Sequence, residues 1–300
     1  MSRDFEPFRE YLIQLGRSER TIAGYLIDLR TFACWFEQTN GYPLAPDNLT
    51  PTDVREYRQF LLNIRKAKAS TINRHLAALR AYGLWAKNCG GVPYNPVEGI
   101  KTIAQQKHAP KWLDRREQAA VLREAERRIQ AAKTEPAKRQ AIRDHCILVT
   151  LLNTGLRVSE LIDLELSDIT ITDRKGELVV RAGKGTKQRV IPLNNTARKA
   201  LNAWFDVRPE IALPKVFTTQ RGAITSRTVQ TLLTEIGVRA RIQKMTPHMA
   251  RHTFAKNLVN SGVTLEKVAM LLGHTSLDTT MVYTTPGMSD LDQAVRALDG

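Results

Sequence analysis

Six side chains in the later part of the chain combine into chemistry aimed at a phosphodiester. Tyr283 is the only tyrosine after Tyr94. Ahead of it come Arg157, in Thr154-Gly155-Leu156-Arg157-Val158-Ser159-Glu160-Leu161, and Lys184, flanked by Gly183 and Gly185. His248-x-x-Arg251 and then Leu271-Leu272-Gly273-His274 follow. A phenol is a latent nucleophile, and a guanidinium can grip two phosphate oxygens at once, which an ammonium cannot. Histidine exchanges protons near neutrality. Strand cleavage by a tyrosine is the leading expectation.

Each residue also has a plainer reading. Arg157, exposed by a helix-to-turn break at Gly155, could simply pair with Glu160 or Asp163. Glu160 shares its face and could orient the arginines, hold a proton, or be purely structural. His248 and Arg251 lie three apart, so both project from the first turn of a helix that Thr246 caps and Pro247 starts. Free N–H groups there favour an anion. An isolated His-x-x-Arg is nevertheless a weak signal. Lys184 is not part of a Walker A loop, because position 178 is Leu and Gly185 stands where Ser or Thr is required. An exposed basic hairpin touching the DNA backbone suits Lys187 and Arg189 better than Lys184. His274 could be a C-terminal cap, favourable with the helix dipole. Tyr283 alone would be packing. The fixed order of all these signals is what makes them informative.

The elements that must position them are mostly helical. Residues from about 3 to 90 read as four short amphipathic helices. The first carries Phe5, Phe8, Tyr11, Leu12 and Leu15 and stops at Gly16; Ser18 caps the second; Thr50-Pro51-Thr52-Asp53 opens the third; Ser70 is the expected cap of the fourth. Arg74, His75 and Arg80 fall on or beside the polar side of that last helix, where phosphates or bases could be met. Residues 93–111 read as a linker with prolines and few apolar groups. A second domain is expected over 112–286. Helices over 114–133 and 138–154 open it, and three short strands follow: Ile169-Thr170-Ile171, Leu178 to Arg181, and Arg189 to Pro192. Helices then resume over 195–205, 225–240, 247–260, 264–272 and 276–283. The tail, 287–300, has Met288, Leu291, Val295 and Leu298 at helical spacing.

Bulk properties agree. The 300 residues exceed what one compact core needs, and 42% are hydrophobic, so two folded domains are expected rather than disorder. Lys and Arg outnumber Asp and Glu by 45 to 30, leaving a net charge of +15. Such charge favours a polyanion by counterion release, without separating DNA from RNA or an anionic membrane. No apolar signal core follows Met1 and no run approaches membrane-spanning length, so a cytoplasmic protein is expected, with no membrane partner. Cys34, Cys89 and Cys146 are far apart and form no C-x-x-C or Cys/His cluster. Buried, reduced thiols are expected, with no metal site.

These segments resemble those of the tyrosine recombinase (phage integrase) family, in particular its simple Xer-like members. Thr154-Gly155-Leu156-Arg157-x-x-Glu160-Leu161 is similar to the first arginine box. Gly183-Lys184-Gly185-x-Lys187-x-Arg189-x-x-Pro192 is similar to the β-hairpin lysine motif. Pro247-His248-x-x-Arg251-His252-Thr253-Phe254-Ala255 and Leu271-Leu272-Gly273-His274-x-x-x-x-Thr279-x-x-Tyr283 resemble the second box and the nucleophile segment. The polar stretch from Lys133 to Arg143 departs mildly, as a lengthened connection.

The resemblance implies a mainly α fold with a small antiparallel β-sheet, in which a helical core-binding domain (1–92) precedes a tyrosine recombinase catalytic domain. It implies attack by Tyr283, a 3′-phosphotyrosyl intermediate, and no nucleotide cofactor. His248 would accept a proton or hydrogen-bond, Arg157 and Arg251 would stabilise the phosphorus centre, Lys184 would protonate the leaving oxygen, His274 would hold the phosphate, and Glu160 would support the pocket. Partners would be double-stranded DNA carrying a specific site, and three further protomers on two duplexes, identical or from a related recombinase, with the tail docked on a neighbour or packed in cis. Two rival readings are a type IB topoisomerase relaxing supercoils and a non-catalytic DNA-binding regulator.

Overall fold

The computed structural model describes residues 5–105, 110–182, 188–274 and 276–284. The chain divides into two compact units, Met1–His108 and Ala109–Gly300.

The first unit is helical. Helix α1 (Glu6–Gln14) buries Phe8 and Leu12 and ends before Gly16, whose φ of 64° only glycine adopts readily. Ser18 opens α2 (Glu19–Asn40) by accepting the Thr21 amide, and Thr50 and Asp53 form a capping box on α3 (Pro51–Gln59). A π-helical turn, Phe60–Ile64, continues α3, and α4 spans Ala69–Asn88. The last helix begins without a side-chain cap, one residue before Ser70. Leu29, Phe32, Phe36, Val54, Tyr57, Ile72, Leu76 and Tyr82 form the core. The expected linker begins later than the prolines suggest. Val97 and Ile100 are buried in this same core, and the Asn95 amide donates to the Arg80 carbonyl.

The second unit surrounds α6 (Glu135–Thr154), whose lower half is buried nearly all round. Against it pack α5 (Arg115–Ala131), α8 (Asn195–Phe205) and α10 (Pro247–Asn260). The polar stretch Lys133–Arg143 is the start of α6, capped by Thr134, rather than a loop. Strands β1 (Ile169–Ile171), β2 (Gly176–Val180) and β3 (Arg189–Pro192) form an antiparallel sheet in sequential order. Its register pairs Leu178 with Ile191 and Val180 with Arg189, so Leu178, Val180 and Ile191 face the core together. A small hairpin of β4 (Thr218–Thr219) and β5 (Gly222–Ala223) precedes α9 (Ser226–Arg239). After α10 come α11 (Leu265–Leu272) and the single turn α12 (Asp278–Met281). A short turn joins α5 to α6, and the long excursion from α7 through α9 returns the chain so that α10 packs on α6.

No described helix is long and apolar enough to cross a membrane. The expectation for cysteines needs correcting: Cys146 is buried, whereas Cys34 and Cys89 are exposed, and all three are free thiols.

Candidate active site

The site forms where α6 ends. Gly155 takes the left-handed conformation that stops this helix, and a Cβ there would overlap the Phe254 ring and Leu272. Glycine therefore permits α10 and α11 to approach. Leu156 is buried, Arg157 sits just outside the next helix, α7 (Val158–Asp163), and the side chain of Glu160 folds back to accept the Arg157 amide at 2.8 Å.

Three guanidiniums converge on the C-terminal end of α11. Arg189 Nε donates to the Leu271 carbonyl at 2.8 Å, Arg251 Nη2 to Leu272 at 2.7 Å, and Arg157 Nη2 to Gly273 at 3.4 Å. These are orphan carbonyls at the negative end of a helix dipole, so they fix cations that would otherwise repel one another. Arg251 Nη1 also donates to the Gly155 carbonyl at 2.7 Å. Glu160 takes both terminal nitrogens of Arg189, at 3.0 and 2.8 Å, and Nη1 of Arg157 at 2.8 Å. Three arginines against one carboxylate leave an excess of positive charge, which suits an anionic ligand.

Burial alone would raise the Glu160 carboxyl, but hydrogen bonds from Arg189 and Arg157 hold it below the usual carboxylate range. Arg251 is depressed to about 10, by burial first and by the neighbouring Arg157 second. It stays charged at neutral pH. His274 falls to about 4 because burial and the surrounding arginines disfavour its cation, and its Nδ1 lies 2.8 Å from the Thr280 hydroxyl.

Tyr283 enters this site from its own chain. Its ring is 1% exposed and packs with Phe254, Ala255, Val268 and Leu272. Its hydroxyl lies 2.8 Å from Nδ1 of His252, the residue directly after Arg251. Burial raises the phenol while the charge of Arg251 lowers it, with burial prevailing. His252 is itself lowered to about 4, chiefly by burial and then by His248 and Arg251. Lys256, one turn further along α10, reaches the Tyr283 carbonyl at 3.4 Å and stands 5.1 Å from the Trp112 ring centroid. His248 is exposed and lines a cleft of roughly 790 Å³ together with His252, Thr246 and Lys244.

Arg157, Glu160, Arg251, His274 and Tyr283 are thus gathered around α10 and α11. Lys184 and Lys187 lie outside the described residues, as does the tail 287–300. Two expectations are corrected. Arg189 is not a surface contact: its side chain is 8% exposed and clamps Glu160. The register that pairs it with buried Val180 turns it toward α11. His75 is interior, with Nδ1 3.1 Å from the Tyr57 hydroxyl and Nε2 3.3 Å from Asp28, because the helix turns it toward α2 and α3. Arg80 donates to the Ile100 carbonyl at 3.1 Å, which ties down the segment after α4. Arg74 remains more than half exposed beside Asp28, at 2.9 Å. The partner of the phenol, His252, was missed; its i+4 spacing from His248 on one helix face was the available signal.

The geometry places a buried phenol beside a cluster of arginines, and comparison with known proteins defines the class of the chain. The chain belongs to the phage integrase family, whose model matches residues 121–289, and the N-terminal SAM-like domain of phage integrases matches residues 5–85. It is a tyrosine recombinase, an enzyme of site-specific DNA recombination. It is 34% identical over 283 residues to tyrosine recombinase XerC of Corynebacterium glutamicum, covering 93% of this chain and 86% of that one. It is 31% identical to tyrosine recombinase XerD of Listeria monocytogenes over 93% and 92% of the two chains. Among solved structures, XerH recombinase bound to palindromic difH substrate shares the fold at a TM-score of 0.75 and 20% identity, over 93% and 80% of the chains. A lambda integrase dimer bound to a core site does so at 0.69 and 19%, over 93% of each.

Proposed function

We propose that Tyr283 attacks a DNA phosphodiester at a specific double-stranded site, expelling the 5′-oxygen and leaving a 3′-phosphotyrosyl bond. Arg157 and Arg251 hold the non-bridging oxygens and stabilise the charge that builds on them in the transition state. Helix α11 keeps both forks in place through its terminal carbonyls, so little reorganisation is needed when the phosphate arrives. Glu160 and Arg189 brace this pair from behind. His248, exposed in the cleft, and His274 hydrogen-bond the phosphate. Lys184 delivers a proton to the leaving oxygen. Arg74 and Lys187 contact the DNA backbone.

Because one phosphoester replaces another, bond energy is conserved and rejoining needs no nucleotide cofactor. Exchange of four strands calls for four protomers on two duplexes, identical or paired with a related recombinase. The segment 287–300 would dock on a neighbour, and integration, excision or resolution of DNA would be the outcome.

The observation that carries this reading is the Tyr283 hydroxyl lying against His252, next in sequence to Arg251, whose charge acts on the phenol and whose guanidinium belongs to the arginine cluster. The experiment is covalent trapping on a nicked duplex selected by the wild-type chain from a random pool. Tyr283→Phe should bind that duplex as wild type does and form no adduct. An adduct formed by that variant contradicts the reading.

A further inference from the structure

We propose that His252 is the base that takes the phenolic proton of Tyr283 as its oxygen attacks phosphorus. This rests on the function proposed above and assigns to His252 a step that His248 was expected to perform.

The Nδ1 atom is 2.8 Å from the hydroxyl, and the rings are tilted with centroids 5.6 Å apart. Both groups are neutral at neutral pH: burial raises the phenol, and burial with nearby cations depresses the imidazole to about 4. Of two neutral partners the phenol is the stronger acid, so it donates and Nδ1 accepts, with the imidazole proton on Nε2. His248 is exposed and stands one helical turn away.

Burial first, and then the charged groups that face it, disfavour the His252 cation. Arg251 and His248 lie on its own helix, and His274 stands beyond α11. Lys244 and Arg241 precede α10, while Lys111 and Glu117 line the same cleft from the start of the domain. A phosphodiester seated between Arg157 and Arg251 brings negative charge that offsets these cations. Proton transfer to Nδ1 thereby costs less with DNA in place than without it.

In the step, the phenolic oxygen–phosphorus bond forms while its proton moves to Nδ1. The phosphorus–O5′ bond breaks, and the leaving oxygen takes a proton from the acid assigned to Lys184. On rejoining, the imidazolium returns its proton to the phenolic oxygen, so each group is restored.

The test is single-turnover adduct formation on two nicked duplexes, one ordinary and one with a 5′-bridging phosphorothiolate, whose sulfur leaves without protonation. Wild type and Tyr283→Phe report on the function itself. His252→Asn keeps a hydrogen-bond acceptor near Nδ1 that cannot hold the proton, and His252→Phe keeps only the ring. Both should bind DNA normally, yet cleave about 100-fold more slowly or worse at neutral pH on either duplex. The Asn variant should accelerate with rising pH where wild type is level. If His252→Phe fails to fold, the Asn variant carries the test. Unchanged or faster cleavage by the folded variant overturns the proposal, as does full rescue by the phosphorothiolate, which would place His252 on the leaving group.

Discussion

Replacing Glu160 by Gln removes the carboxylate that braces the arginine cluster. Its carboxylate accepts four hydrogen bonds, from the Arg157 amide and Nη1 and from both terminal nitrogens of Arg189. The Arg189 and Glu160 side chains are 8% and 12% exposed, so the variant leaves a guanidinium charged and poorly solvated. Breaking one side of a buried pair costs about 3–5 kcal/mol. The Arg157 end is 33% exposed. Water screens that end, and its share is at most ~1 kcal/mol. A loss of about 3 kcal/mol at neutral pH is expected, or roughly 6–12 °C in Tm for a domain of this size.

The loss should depend on pH with a definite sign. Burial works to raise the Glu160 carboxyl, but Arg189 and Arg157 hold its folded value below the ordinary one. Its stabilisation is therefore fully present above the unfolded pKa of about 4.3 and disappears as pH falls through the lower folded value. Urea unfolding of wild type, Glu160→Gln, Arg189→Met and the double variant measures both effects. The cycle should show a coupling of at least about 1 kcal/mol, and the gap between wild type and Glu160→Gln should shrink below pH 4 or so. A loss under about 1 kcal/mol at pH 7, or strictly additive variants, would refute the bracing role.

Three further outcomes are expected. Arg157→Lys should bind DNA but cut at least about 100-fold more slowly in single-turnover trapping, because one ammonium cannot span two phosphate oxygens. Gly155→Ala should lower stability by about 2 kcal/mol or more in denaturant titration, since its φ of 62° disfavours a side chain and the added carbon meets Phe254 and Leu272. His75→Ala should destabilise the N-terminal domain by thermal unfolding while leaving the salt dependence of DNA binding unchanged, because His75 touches Tyr57 and Asp28 in the interior.

Much of this was legible in the residues because local rules and tertiary packing agree there. Ser18, Thr50 and Thr246 each start a helix where a side-chain oxygen can cap it, whereas the Thr134 cap lies inside a polar stretch that reads as a connection. Gly155 and Gly273 end helices where the backbone turns left-handed. Short runs rich in Ile and Val gave the strands β1, β2 and β3 their places. The hairpin β4–β5 escaped notice because two-residue strands carry no period. Polar residues turned inward by tertiary contacts were the systematic misses. Arg189 and His75 look like surface groups until α11, or α2 and α3, supply partners. Nothing in the sequence marks the three carbonyls of Leu271, Leu272 and Gly273 as the anchors of the arginines, since backbone acceptors have no residue code. His252 stood in plain view beside Arg251, overshadowed by His248.

The central claim is that one buried phenol, held beside a cluster fixed by the end of a helix, becomes covalently bound to DNA. Proteolysis of the wild-type adduct formed on a nicked duplex, followed by mass mapping, tests it most directly. The account predicts a single modified peptide carrying a nucleotide on Tyr283 through its 3′-phosphate. Attachment to any other residue, or through a 5′-phosphate, would contradict it.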